Sequence, residues 1–262
     1  MNAFQKALFT HLLLAVAAGC FTYTTYLLNV DSVQWNYILF VLFAALFIYR
    51  LAYYGVPLKL SSLRIVDKVF AIICAAGFSL LVFFDSEIIT WLVMCLLACL
   101  AYFIRLKNWN GLRSVMFVKS FWLAMVWTIV TALIPLISGN KNIDWIIIGE
   151  RFTFMLSICI VYNLRDVQHD FSLGVNTMVH RMGASLTKAV CLILLLLNWM
   201  MIYHHGYAND IYNALLVSVT LTGLTVLLAK ENGNWVYYTL LVDGSMIVQF
   251  LLVLFAVHKA VN

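Results

Sequence analysis

Asn163, Asp166 and Asp170 are the residues of this chain best placed to do chemistry. In Asn163-Leu-Arg-Asp166-Val-Gln-His-Asp170 two carboxylates stand four residues apart, with an amide three residues before the first. On a helix such positions share one face, roughly 5 to 6 Å apart at Cβ, so one cation could be shared by three oxygen-bearing side chains. Hard divalent cations such as Mg²⁺ take carboxylates together with phosphate oxygens. The spacing therefore fits an Mg-bridged phosphate or diphosphate ligand.

The elements that must hold these residues are hydrophobic helices. Of 262 residues 65% are hydrophobic and 10% charged, and the mean hydropathy is +0.98, far from soluble usage. Apolar runs near the roughly 20 residues that a bilayer demands fall at 7–29, 35–54, 66–84, 88–105, 115–137, 145–164, 184–204, 210–229 and 235–257. The expectation is an all-α polytopic membrane protein, a bundle of nine transmembrane helices. With short connections and no Pro/Gly/Ser-rich linker, residues 1–262 read as a single transmembrane domain.

Basic residues set the expected orientation. Lys6, Arg50, Lys59, Arg64, Arg105, Lys107, Arg113, Arg165, Arg181, Lys188 and Lys230 fall at one set of loops, while Asp31, Asp85, Glu87, Asp144 and Asp210 mark the other, where Lys141 is the exception. The positive-inside rule puts the N-terminus and the Asp166/Asp170 loop in the cytoplasm and the C-terminus outside, in a bacterial cytoplasmic membrane. The net charge of +5 is thus a topology signal, and no nucleic-acid partner is expected.

Two decoys are set aside. Lys6 followed by Leu12 to Cys20 imitates a cleavable leader, but apolar residues continue to Leu28. The six cysteines all lie in apolar runs, and Cys95 and Cys99, though on one face, have no adjacent histidine or acid, so they read as small buried hydrophobes.

The run from Asn163 to Thr177, with Arg181-Met-Gly183 after it, resembles the second aspartate-rich motif of the UbiA superfamily of intramembrane prenyltransferases. Its Asn-Leu-Arg-Asp start is most similar to the branch that prenylates dihydroxynaphthoate. The resemblance implies a UbiA-like bundle open to lipid, in which Mg²⁺ on two aspartate-rich motifs binds an isoprenyl diphosphate. Its ionisation gives an allylic cation that a lipophilic acceptor captures. It further implies Asp166 and Asp170 as catalytic metal ligands supported by Asn163. Arg165 and the basic residues in and after the loop between the fourth and fifth spans, Arg113 and Lys119, would hold the diphosphate.

The sequence departs from that family at its first motif. The end of the second span reads Phe47-Ile-Tyr49-Arg50-Leu-Ala-Tyr53-Tyr54-Gly55, with no carboxylate before Asp67. A diphosphate carries about three negative charges that two metal clusters ordinarily neutralise. Arg50 either replaces one metal as a fixed cation or is a positive-inside anchor snorkelling to headgroups. Lys119, inside the fifth span, is a diphosphate ligand or a snorkelling lysine; an intramembrane lysine is costly unless it faces a cavity or partner. Asp243, about a third of the way into the ninth span, is a functional acid or a core acid pinning its helix. Glu150 and Arg151 read as an interfacial pair, and His204 and His205 as interfacial polar residues. Tyr49, Tyr53, Trp122 and Tyr162 lie at the level where an allylic cation would form, and aromatic faces could shelter it.

The function expected is Mg²⁺-dependent prenyl transfer from an isoprenyl diphosphate to a quinone-precursor-type acceptor. The alternative is a non-catalytic descendant that binds an isoprenoid or quinone lipid, or a membrane partner, in the same cavity.

Overall fold

The computed structural model describes residues 3–30, 32–54, 65–103, 117–139, 143–172 and 177–261, with residues 3, 51–54, 65–67, 70, 103, 169 and 261 described by backbone alone. Among them no strand occurs, and the helices line up as nine rods. The first four are α1 (Ala3–Asn29), α2 (Trp35–Tyr54), α3 (Ile65–Phe78), extended by a 3₁₀ segment, and α4 (Ser86–Phe103). The fifth is α5 (Val118–Thr128), carried through a π turn (Ile129–Leu133) into α6 (Ile134–Ser138). The sixth is α7 (Trp145–Arg165), followed by a short α8 (Val167–Ser172). Then come α9 (Met178–His205), α10 (Asn209–Leu228), and α11 (Trp235–Tyr237), which a second π turn (Tyr238–Val242) joins to α12 (Gly244–Val261). Six rods are long and apolar enough to cross a membrane, and those of α2, α3 and α4 are shorter apolar helices. The chain is an integral membrane protein.

Lipid offers backbone groups no hydrogen bonds, so departures from the helix must be satisfied from within. Pro135 has no N–H to give and the π turn before it widens the ladder. The two carbonyls this releases are taken up by neighbours: the Thr25 hydroxyl donates to the Thr131 carbonyl at 2.7 Å and the Tyr37 hydroxyl to that of Val130 at 2.7 Å. These bonds tie α1 and α2 to the fifth rod at the depth where the rod changes register.

Between helices in lipid, close packing replaces the hydrophobic drive. Ala15, Ala17 and Ala18 form a buried small-residue surface on α1. At Gly77 a Cβ would stand 2.5 Å from the Phe43 ring, so glycine is what lets α3 lie against α2. The most enclosed rod is α7, packed between α5 and α9, with Phe154, Met155, Ile158, Val161 and Leu164 in the core. Large apolar side chains such as Ile193, Leu224 and Phe255 face outward.

Glu150 and Arg151 differ from the expected interfacial pair, for each is only 1% exposed. The Tyr207 hydroxyl donates to Glu150 at 3.2 Å, and the Arg151 guanidinium lies 4.2 Å from the Phe21 ring centre. Burial and the Glu150 charge push the Tyr207 phenol up from its ordinary pKa. His205 stacks on Tyr207 and approaches Asp144 at 3.6 Å. The loop between α9 and α10 folds over the rod ends and takes these polar groups out of the interface.

Candidate functional site

The motif occupies the elbow where α7 ends. Asp166 is the C-cap of α7, at φ −94° and ψ 9°, and its carbonyl accepts the Asp170 N–H at 2.8 Å, starting α8. The elbow is clamped from the far end of the chain: the Asn232 N–H donates to the Leu164 carbonyl at 2.9 Å, and its Oδ1 accepts the Gln168 N–H at 3.3 Å. Asn232 holds φ +50°, a conformation asparagine tolerates better than most residues. On the other side Thr177 forms a capping box with His180, and Gly183, at φ +76°, breaks α9 so that its first turn can lie beside the elbow, where His180 meets the Phe171 ring.

Asn163 and Asp170 face α5, and both are fully buried. The Lys119 ammonium reaches Asp170 Oδ2 at 2.5 Å, in a pair with side chains 9% and 0% exposed. Lys119 lies in the first turn of α5, where the helix dipole disfavours a cation, so the Asp170 carboxylate offsets both the charge and the dipole. The lysine does not snorkel. Next to it, Ser120 donates to the Cys159 carbonyl at 3.2 Å and therefore accepts from Asn163 Nδ2 at 3.2 Å. That fixes the amide with Oδ1 buried and lacking a hydrogen-bond donor among the described residues.

Asp166 turns to the other side. Arg165 holds it through Nε at 2.7 Å and Nη2 at 3.2 Å, and the same guanidinium lies 4.4 Å from the Tyr162 ring centre. This pair is about a quarter exposed. The elbow thus divides the expected trio, Asn163 and Asp170 on the α5 side and Asp166 on the Tyr162 side. Asn163 Oδ1 and the two carboxylates are hard oxygen donors of the kind a divalent cation takes, with the elbow setting Asp166 apart from the other two. Among the described residues no group of three or more His, Cys, Asp and Glu is found.

Arg50 is buried, with its guanidinium 5.1 Å from the Phe4 ring centre, which removes the snorkelling reading. Its neighbour Tyr49 accepts from the Trp127 indole at 3.2 Å and stacks with His11. Tyr162 and Asp243 meet deeper in the bundle. The side chain of Tyr53 and all of Arg113 lie outside the described residues.

Above this polar end opens an apolar cavity of about 200 Å³ between α2, α4 and α5, with Tyr49, Tyr102, Trp122, Trp127 and Cys99 on its walls. Trp122 comes three residues after Lys119, one helical turn, so the cavity begins about 5 Å along the rod from the charged pair. Two features were not visible to sequence reasoning: the Asn232 clamp and the π turns. Asn232-Gly233 is a turn signal, but nothing in it says which helix end the turn will cap.

The fold is that of solved UbiA homologues. The chain aligns with a UbiA homolog from Archaeoglobus fulgidus bound to DMAPP and Mg²⁺ at a TM-score of 0.57 and 13% identity, over 96% of this chain and 99% of that one. The A. fulgidus homolog bound to Cd²⁺ gives 0.58 and 11%, over 94% and 99%. The apo homolog from Aeropyrum pernix K1 gives 0.53 and 14%, over 100% and 98%. No protein-family model matches the sequence, and no curated protein is significantly similar to it.

Proposed function

We propose that this protein transfers an isoprenyl group from its diphosphate to a lipophilic acceptor within the bilayer. The observation that carries the reading is the buried Lys119–Asp170 pair, beside the unsatisfied Asn163 Oδ1, about one helical turn along α5 from Trp122 on the wall of an apolar cavity. Ionisable groups are expensive at such depth and mark polar ligands. The A. fulgidus homolog bound to DMAPP and Mg²⁺ supports a diphosphate as that ligand. Asn163, Asp166 and Asp170 would hold Mg²⁺, which when bound would neutralise the diphosphate as a Lewis acid. Lys119, Arg165 and Arg50, with Arg113, would supply the fixed positive charge that the absent first aspartate motif leaves wanting, stabilising the leaving group as charge builds on it. The cavity would exclude water, so that the allylic cation meets the acceptor. With the Tyr162 ring already facing Arg165, the cavity-wall rings of Tyr49, Tyr102, Trp122 and Trp127 are the aromatic groups that would shelter that cation. The Asn-Leu-Arg-Asp start of the motif favours a quinone-precursor acceptor.

One observation favours a second reading. Both motif carboxylates already hold a protein cation, Asp166 through Arg165 and Asp170 through Lys119, as a non-catalytic lipid-binding descendant would have them. The deciding experiment measures binding of farnesyl and geranylgeranyl diphosphate to the purified protein with Mg²⁺ or with excess chelator, then prenyl transfer to a panel of phenols and naphthols. Mg²⁺-dependent binding with product supports the transferase; binding without product from any pair supports the descendant.

A further inference from the structure

The first turn of α5 presents two consecutive polar side chains to the motif, and each is committed to one of its members. Ser120 gives its single proton to the Cys159 carbonyl at 3.2 Å, so it meets Asn163 Nδ2 as an acceptor and leaves the buried Oδ1 of that amide for a cation. Lys119 takes the other member. Its ammonium lies 2.5 Å from Asp170 Oδ2, with side chains 9% and 0% exposed. An ammonium carries three N–H groups and no acceptor, and Asp170 Oδ2 is the one acceptor that Lys119 reaches among the described residues. The second motif carboxylate is held differently. Asp166 and its Arg165 are about a quarter exposed, so that pair can open into water at small cost.

A carboxylate oxygen held this closely goes to a metal only if the lysine lets go of it. Parting a buried pair while one charge stays inside is among the costlier changes a protein can make. An anion that brings oxygens of its own removes that cost, because the released ammonium passes to it and stays paired. We propose that Lys119 is a specificity-determining residue of this site: it keeps a divalent cation off Asp170 until an anionic head takes its ammonium, so that cation and anion are accepted only together. No covalent bond changes in this exchange. The flexible four-carbon stem carries Nζ from a carboxylate oxygen to a phosphate oxygen while the Lys119 backbone stays in α5. By linkage, each ligand then raises the affinity for the other by the same factor, about a hundredfold, the scale of leaving the ammonium unpaired. The bar on a free cation stands on the ion pair alone; that the anion is a diphosphate rests on the transferase reading.

The test needs no turnover: it follows the unfolding temperature in detergent, and Mn²⁺ binding through the spin-resonance signal of the free ion. For the wild type, millimolar Mg²⁺ alone should leave the unfolding temperature unchanged, and Mn²⁺ should stay free. Lys119→Met should bind Mn²⁺ about a hundredfold more tightly than the wild type and unfold several degrees higher with Mg²⁺ than without it. Lys119→Gln, whose amide can still hydrogen-bond Asp170, should do the same and serves if Lys119→Met does not fold. Adding Asp170→Asn to either variant should abolish the gain, which assigns the cation to that carboxylate. Farnesyl thiolodiphosphate, which ionises far more slowly than the oxygen ester, should raise the wild-type unfolding temperature together with Mg²⁺ beyond the effect of either alone. A wild type that takes Mn²⁺ without an anion as well as the variants do, or variants that refuse it, overturns the proposal. Variants that take the free cation, beside a wild type that ignores both ligands together, keep the bar at Lys119 and sink the diphosphate, and with it the transferase reading.

Discussion

Lys119 and Asp170, separated by 51 positions, meet as a buried ion pair at 2.5 Å and so join the start of α5 to the elbow after α7. Removing one member leaves the other buried without the opposite charge that faces it in the pair. Lys119→Met and Asp170→Leu should each lower stability by about 3 kcal/mol or more, whereas the double variant should recover much of the loss. Thermal unfolding in detergent measures this directly, and a double variant no more stable than the worse single one would show that the two residues act independently.

Asp166 should behave in the opposite way. Its pair with Arg165 is about a quarter exposed, and exposed pairs contribute about 1 kcal/mol or less. Asp166→Asn is therefore expected to unfold within a few degrees of the wild type and yet lose Mg²⁺-dependent diphosphate binding, because an amide cannot supply the anionic ligand that Mg²⁺ prefers. Retained Mg²⁺ dependence in this variant would remove Asp166 from the metal set.

The pattern of apolar runs made the nine rods legible, since a bilayer allows few alternatives to a helix of fixed length. The motif from Asn163 to Asp170 was legible too, but its geometry was not. The rule that residues four apart share a face assumes one continuous helix, and α7 ends at Asp166, so the elbow separates Asp166 from the other two. Burial of Glu150 and Arg151 was hidden for a related reason: position near the end of a run says nothing about a loop that folds back to donate the Tyr207 hydroxyl. Lys119 and Asp243 stood out because charge inside an apolar run is costly whatever the fold, though their partners, 51 and 81 residues away, could not be read.

Asn232 offers a test of the clamp on the elbow. Asn232→Gly keeps the φ of +50° accessible and loses only the side-chain bond to Gln168, whereas Asn232→Ala adds backbone strain. Alanine should cost on the order of 1 to 2 kcal/mol and glycine less, with both raising hydrogen exchange at Gln168 and Asp170. Exchange unchanged in both variants would show that the elbow holds its shape alone.

The orientation expected from the basic loops can be checked by labelling. A cysteine at Gln168 should be protected from an impermeant thiol reagent in intact cells, while cysteines at Ser86 and Asn209 should react, all three positions being exposed at rod ends. The six native cysteines lie within helices, buried or partly buried, and give a low background. Reaction at Gln168 from outside would invert the topology and put the charged site on the wrong face for a cytosolic diphosphate.

Arg50 decides whether a fixed cation can stand in for the missing aspartate motif. If it does, its effect belongs to the transition state, where charge builds on the departing diphosphate, more than to ground-state binding. Arg50→Gln should then lower turnover by on the order of a hundredfold, the scale for one preorganised charge-stabilising donor, with a much smaller change in diphosphate affinity. Arg50→Lys should recover part of the rate, because a point charge replaces some of what the guanidinium fork supplies. The guanidinium also packs over Phe4 at 5.1 Å, so unfolding temperatures must accompany the kinetics. A loss of affinity as large as the loss of rate would make Arg50 an ordinary binding residue, and an Arg50→Gln protein with wild-type kinetics would leave the diphosphate to Lys119, Arg165 and the metal.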